Sequence, residues 1–181
     1  MIVSDDTAAR SICVQKRSHD KSVILSKHAL LSYNGDPGDA IQFAEYIRAN
    51  INLYSITNGV DLSVKASANF TRRLLADALR TKNAYQVNLL LSGFDVASNK
   101  GQLYWLDHLA SLNKVNYAAH GYASYFLMSV LDLYWTDTLD KEQAVLLVKK
   151  CLQELKIRFM GNLNDYIVKI VDKDGVNVLQ I

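Results

Sequence analysis

A single proline and only eight glycines in 181 residues leave no material for a flexible linker, a low-complexity tract or a repeat array. The two cysteines, Cys13 and Cys151, share no CxxC spacing. Each sits in an apolar run and reads as a buried thiol of an intracellular protein rather than half of a bridge or ligand pair. No run approaches the roughly 18 apolar residues of a membrane span, and no signal peptide opens the chain. An excess of one charge is missing too. Lys and Arg number 20 against 18 Asp and Glu, and the signs are mixed along the chain, so neither a nucleic-acid partner nor a membrane partner is implied. The basic doublets Arg72-Arg73 and Lys149-Lys150 read as solvated helix faces. What is present in quantity is apolar side chain, half of all residues, enough for one domain over 1–181 with a proper core. The chain is of cytoplasmic or nuclear type.

The stretch around which the chain is organised is Gly35-Asp36-Pro37-Gly38-Asp39, a turn feeding a helix with Asp39 as its N-cap. The helix runs to about Ile56. At 100° per residue Ile41, Ala44, Ile47, Ile51 and Tyr54 share one face, with Phe43, Tyr46 and Leu53 beside them. That arc is wider than the roughly 100° stripe of a surface helix. It fits either a helix buried on two sides within one domain or an assembly interface.

In order, Ile2–Ser4, Ser11–Gln15, Ser22–Ser26 and Ala29–Asn34 read as strands. Ser63 caps a second helix to about Thr81. Gln86–Leu91 and Gln102–Leu106 form a strand pair through Asn99-Lys100-Gly101, and a short strand near Tyr117 leads into an apolar helix, Tyr122–Tyr134. Asp140 and Gln143 frame a capping box for the last helix, Lys141–Phe159, with Ala144, Val148, Cys151 and Leu155 as its buried stripe. Tyr166–Asp172 and Val176–Leu179 close the chain, hinged by Asp174-Gly175. Strand blocks separated by helix pairs predict an α+β fold: two stacked sheets with a helix pair on each outer face.

Gly38-Asp39-x-x-Gln42-Phe43-Ala44-Glu45-Tyr46-Ile47 carries a resemblance. With Asn50-Ile51, Leu53-Tyr54, Ala68-Asn69-Phe70-Thr71-Arg72-Arg73, Tyr85-Gln86-Val87-Asn88-Leu89, Ala119-His120-Gly121-Tyr122 and Ile170–Gly175, it resembles the beta-type-2 subunits of the eukaryotic 20S proteasome, which hold the fourth position of the beta ring. The resemblance covers essentially the whole chain. It implies the four-layer αββα sandwich of N-terminal nucleophile hydrolases, and as partners the other alpha and beta subunits of a 28-subunit stacked-ring complex. It implies no cofactor. Relative to that family, the usual first strand upstream of Met1-Ile2-Val3 is missing.

Active members of the family use an N-terminal threonine as nucleophile, and its freed amine handles the proton. A lysine oriented by an aspartate lowers the charge cost, and a glycine amide forms the oxyanion hole. By resemblance Asp5 falls at the aspartate's place, Lys21 at the lysine's and Gly35 at the glycine's. The remaining places are lost. No Gly-Thr junction precedes Asp5, Tyr122 stands where the catalytic serine would, and Phe159 stands at the second aspartate. A bulky phenol and a phenyl ring cannot serve as hydrogen-bonding partners of an ammonium in the same way. The resemblance therefore implies a non-catalytic structural beta subunit, with Asp5 and Lys21 as an ion pair holding sheet ends together. The alternative is a catalytic N-terminal-threonine hydrolase whose propeptide and nucleophile are missing from this gene model. A free-standing domain unrelated to proteasomes is a third reading.

Other patterns fail on their chemistry. Gly35-x-x-Gly38 lacks the Walker lysine, and Asp36 and Asp39 would repel phosphate. His19, His28, His108 and His120 have no metal-ligand spacing. Gly121-Tyr122-Ala123 lacks the serine of a nucleophile elbow. Asp95 and Asp107 flank a hairpin and read as turn and edge residues rather than an acid/base pair.

Overall fold

In the computed structural model, which describes residues 1–10, 13–159 and 165–180, the first helix begins earlier than Asp39. Helix α1 spans Pro37–Asn58. Asp36 is its N-cap, accepting from the Gly38 and Asp39 amides, and Pro37 occupies the first turn, where its missing N–H costs nothing. Asp39 lies inside that turn instead, its carboxylate accepting from the Gln86 amide. Gly59, left-handed at φ 68°, ends the helix.

Before α1 lie β1 (Ile2–Asp5), β2 (Ala8–Arg10), β3 (Cys13–Lys16), β4 (Ser22–Ser26) and β5 (Ala29–Gly35). After it come α2 (Val64–Leu79), β6 (Val87–Asp95), β7 (Lys100–Leu106) and β8 (Leu112–Val115). A 3-10 turn at Gly121–Ala123 then leads into α3 (Ser124–Tyr134), followed by α4 (Lys141–Arg158), β9 (Tyr166–Asp172) and β10 (Gly175–Leu179). The composition is α+β with antiparallel pairing. The described residues group into two compact units, one drawn from 1–21, 117–170 and 178–181, the other from 22–116 and 171–177.

The second of these units holds a five-stranded sheet in the order β4-β5-β6-β7-β8, with α1 lying over β4 and β5 and α2 over β6, β7 and β8. Strand residues alternate, so Ala29, Leu31 and Tyr33 of β5 and Val87, Leu89 and Leu91 of β6 point into one core with the helices. From α1 that core takes Ala40, Phe43, Ala44, Ile47 and Ile51, and from α2 it takes Val64, Ala68 and Leu75. Ile41 and Tyr54, expected on the buried face, are exposed with Tyr46, Leu53 and Ile56. The wide arc is therefore two arcs, one packed on the sheet and one open. Gly93 lets α2 approach β6: a Cβ there would lie 2.4 Å from a Val64 methyl. Arg72 and Arg73 are exposed as expected, with Arg72 Nε donating to the Ala110 carbonyl at 3.2 Å.

In the first unit β1 pairs antiparallel with β9, in a sheet ordered β1-β9-β10. Helices α3 and α4 pack together. The capping box forms as expected: Asp140 accepts from the Gln143 amide, and Gln143 accepts from the Asp140 amide. The buried stripe of α4 is Leu147, Cys151 and Leu155, while Ala144 and Val148 are half-buried. The short strand expected near Tyr117 is β8, whose last residue is Val115. One further expectation needs correcting. Cys13 is exposed: among the described residues β2 and β3 make a two-stranded antiparallel sheet of their own, and all four residues of β3 face solvent. Residues 11 and 12, assigned to a strand from sequence, lie outside the described residues. The closing hairpin turns at 173–174, and Gly175, at φ 125°, opens β10.

Candidate functional site

Asp5 is the last residue of β1, held opposite Tyr166 of β9. Lys21 directly precedes β4, sixteen residues on, and its Nζ lies 2.7 Å from both Asp5 carboxylate oxygens. A third contact, 2.9 Å, runs to the Thr7 carbonyl. An ammonium has three N–H donors, and these acceptors match them in number. Both side chains are part-buried, 21% exposed for Lys21 and 28% for Asp5. Lys21 is thus engaged by Asp5 and the Thr7 carbonyl without any nucleophile. Beside it the Tyr166 hydroxyl is buried without a hydrogen-bond partner among the described residues. Burial, and then the Asp5 charge, raise its pKa above the ordinary phenol value.

Gly35 belongs to the other compact unit, as the last residue of β5. Its φ is +143°, and a Cβ would fall 2.1 Å from the Gln86 carbonyl oxygen. Glycine is required there by packing alone. The amides that follow are already used. Asp36 N–H donates to the Gln86 carbonyl, Pro37 has no N–H, and the Gly38 and Asp39 amides donate to the Asp36 carboxylate. Two carboxylates at this helix start also oppose a further negative charge.

Tyr122 lies in the 3-10 turn before α3, and Phe159 follows the last residue of α4. Their ring centroids are 5.6 Å apart, and Phe126 of α3 meets Phe159 edge-on at 6.2 Å. Three rings therefore tie the start of one helix to the end of the next, an arrangement worth about 0.5–1.5 kcal/mol per pair beyond area burial. Tyr122 is nonetheless 72% exposed.

The structure thus joins Asp5 to Lys21 and Tyr122 to Phe159. One pair of residues escaped the sequence reading altogether: Lys169 of β9 is buried and makes an ion pair with Asp20, the neighbour of Lys21. A separation of 149 residues left no local signal. The remaining candidates serve local structure. Asp95 accepts from Ser98 and the Ala97 amide in the β6–β7 turn, and the Ser98 hydroxyl holds its carboxyl below the usual range. Asp107 accepts from the Leu109 and Ser111 amides, and His28 Nδ1 sits 3.2 Å from the Asp172 carbonyl. Among the described residues no three His, Cys, Asp or Glu side chains are grouped to hold a metal.

Comparison with known proteins gives consistent matches. The sequence model of the family described as Proteasome subunit matches residues 1–171. A probable proteasome subunit beta type-4 of Schizosaccharomyces pombe is 43% identical over 181 residues, covering 100% of this chain and 93% of that protein. A probable proteasome subunit beta type-4 of Neurospora crassa is 47% identical over 176 residues, 97% of this chain and 87% of the relative. Proteasome subunit beta type-2-A of Arabidopsis thaliana is 42% identical over 175 residues, 97% of this chain and 85% of the relative.

Proposed function

The chain belongs to the proteasome subunit family, and on that premise we propose that it is a non-catalytic structural beta subunit of the 20S core particle. Family membership carries the αββα sandwich of N-terminal nucleophile hydrolases, whose ingredients are the antiparallel sheets and helix pairs described above. Its partners are the alpha and beta subunits of the stacked rings, and its setting is the cytoplasm and nucleus. The chain contributes wall and contact surface, while neighbouring subunits cleave proteins delivered by the ATP- and ubiquitin-dependent route.

One observation supports the absence of catalysis: Tyr122 packs against Phe159, and these are the residues that the resemblance matches to the serine and aspartate of active subunits. Charge stabilisation at such a site depends on several groups acting as a unit, so a nucleophile alone recovers little. The second reading, a threonine hydrolase lacking its nucleophile, rests on the retained Asp5–Lys21 pair, two of the groups such a site would need. The two readings separate in one experiment. The chain is extended upstream with a strand and a Gly-Thr junction, assembled into the particle and exposed to a threonine-directed epoxyketone. Under the proposal this subunit stays unlabelled, and labelling appears only once Tyr122→Ser and Phe159→Asp are added. Labelling of the extended chain at the rate of catalytic neighbours would overturn it.

A further inference from the structure

Adjacent residues Asp20 and Lys21 form two ion pairs of opposite polarity with two different strands. Lys21 reaches Asp5 on β1 at 2.7 Å, and Asp20 reaches Lys169 on β9. Residues facing each other on an antiparallel ladder share a face, so Asp5 lies with Tyr166 on one side and Lys169 with Ile2 on the other. We infer that the two pairs form one clamp that fixes the segment 17–21 against both faces of the β1–β9 ladder, and that Lys21 acts in this chain as half of it. The inference rests on the reading of Asp5 and Lys21 as structural groups.

Alternating polarity makes the clamp specific. A slip of one residue would bring Asp20 toward Asp5, or Lys21 toward Lys169, placing like charges together. Further bonds hold the same register: the His19 amide donates to the Asp6 carbonyl at 2.6 Å, and Lys21 to the Thr7 carbonyl. Burial raises the stakes at Lys169, which is 8% exposed. Removing its carboxylate partner would take the Asp20 charge away from a buried ammonium.

The test is a double-mutant cycle on the full chain: the natural protein, Lys21→Met, Lys169→Met and the double variant, each followed by thermal melting. Each single change is expected to lower the midpoint by about 4 °C or more. Because the first loss already frees the segment, the double variant should fall well short of the sum of the two. A fall equal to the sum, within about 1 °C, would overturn the clamp and leave two independent pairs. If Lys169→Met does not fold, the cycle is run with Asp20→Asn, which keeps the volume, and is judged by the same criterion. Covalent labelling by the epoxyketone would instead refute the structural reading of the site, without any effect on the additivity measured here.

Discussion

Helices α1 and α3 are both rich in apolar side chains, yet they are held by different contacts. Helix α1 fully buries Ala40, Phe43, Ala44, Ile47 and Ile51 in a core shared with β5 and β6. Helix α3 buries none of its eleven residues; Tyr125 is 83% exposed and Leu133 72%. Its ties are side-on: Phe126 against Phe159, Lys150 4.0 Å above the Tyr134 ring, and Tyr117 bonded to Asp132 while packing on Trp135. The first helix is part of an interior closed by this chain's own sheet. The second presents apolar surface of the kind that interaction partners cover, in keeping with a place in a ring of subunits. Helix α1 shows the same property on its outer side, where Leu53 and Ile56 remain open.

The sharpest way to break this contrast is to truncate one residue on each helix. Phe43→Ala removes a ring that is 0% exposed and packs 4.7 Å from the Tyr85 ring. It should cost about 4 kcal/mol in urea unfolding of the free chain. Leu133→Ala should stay within about 0.5 kcal/mol in the same measurement while reducing incorporation into the particle. Equal losses in the free chain would dissolve the distinction between the two helices.

A smaller effect is expected where α1 meets its sheet. Gly35→Ala combines a positive φ with a Cβ 2.1 Å from the Gln86 oxygen, so the β5–β6 ladder must give way. The expected loss is about 2–3 kcal/mol, seen as faster amide exchange in β5 and β6. A neutral Gly35→Ala would remove the packing explanation for this glycine and return it to the oxyanion role.

The smallest perturbation uses the two thiols as reporters. Cys13, exposed on β3, should react with a maleimide on the order of tenfold faster than Cys151, buried in α4. Burial raises the Cys151 pKa, so its thiolate fraction, and with it its reaction rate, keeps rising at pH values above those of an ordinary thiol. Comparable rates at neutral pH would mean that α4 opens readily, and that the unit containing α3 is looser than its buried stripe implies.

Several of these features were legible in the chain itself, and the misses have physical causes. The Asp140–Gln143 box and the Ser63 cap were read correctly because both are satisfied within one turn. From the sequence Asp39 reads as the cap, although a carboxylate just before a proline, as at Asp36, is the usual pattern of a helix start. Cys13 reads as buried because its neighbours are apolar, but a local run does not say whether a second layer lies over it. Phe126 escaped notice as one more apolar residue, and its role depends on Phe159 arriving from the end of a different helix.

What the sequence by itself determined is the class of fold and the family. Those depend on periodicity, caps and residue identity, which are properties of short stretches. Only the tertiary structure decided what Lys21, Gly35 and Asp20 contact. Lys21 is satisfied by Asp5 and the Thr7 carbonyl, Gly35 is dictated by the Gln86 backbone, and Asp20 finds Lys169 149 residues away. The reason is physical: hydrogen-bond saturation and charge pairing are set by distances in space, and residues remote in sequence supply the partners.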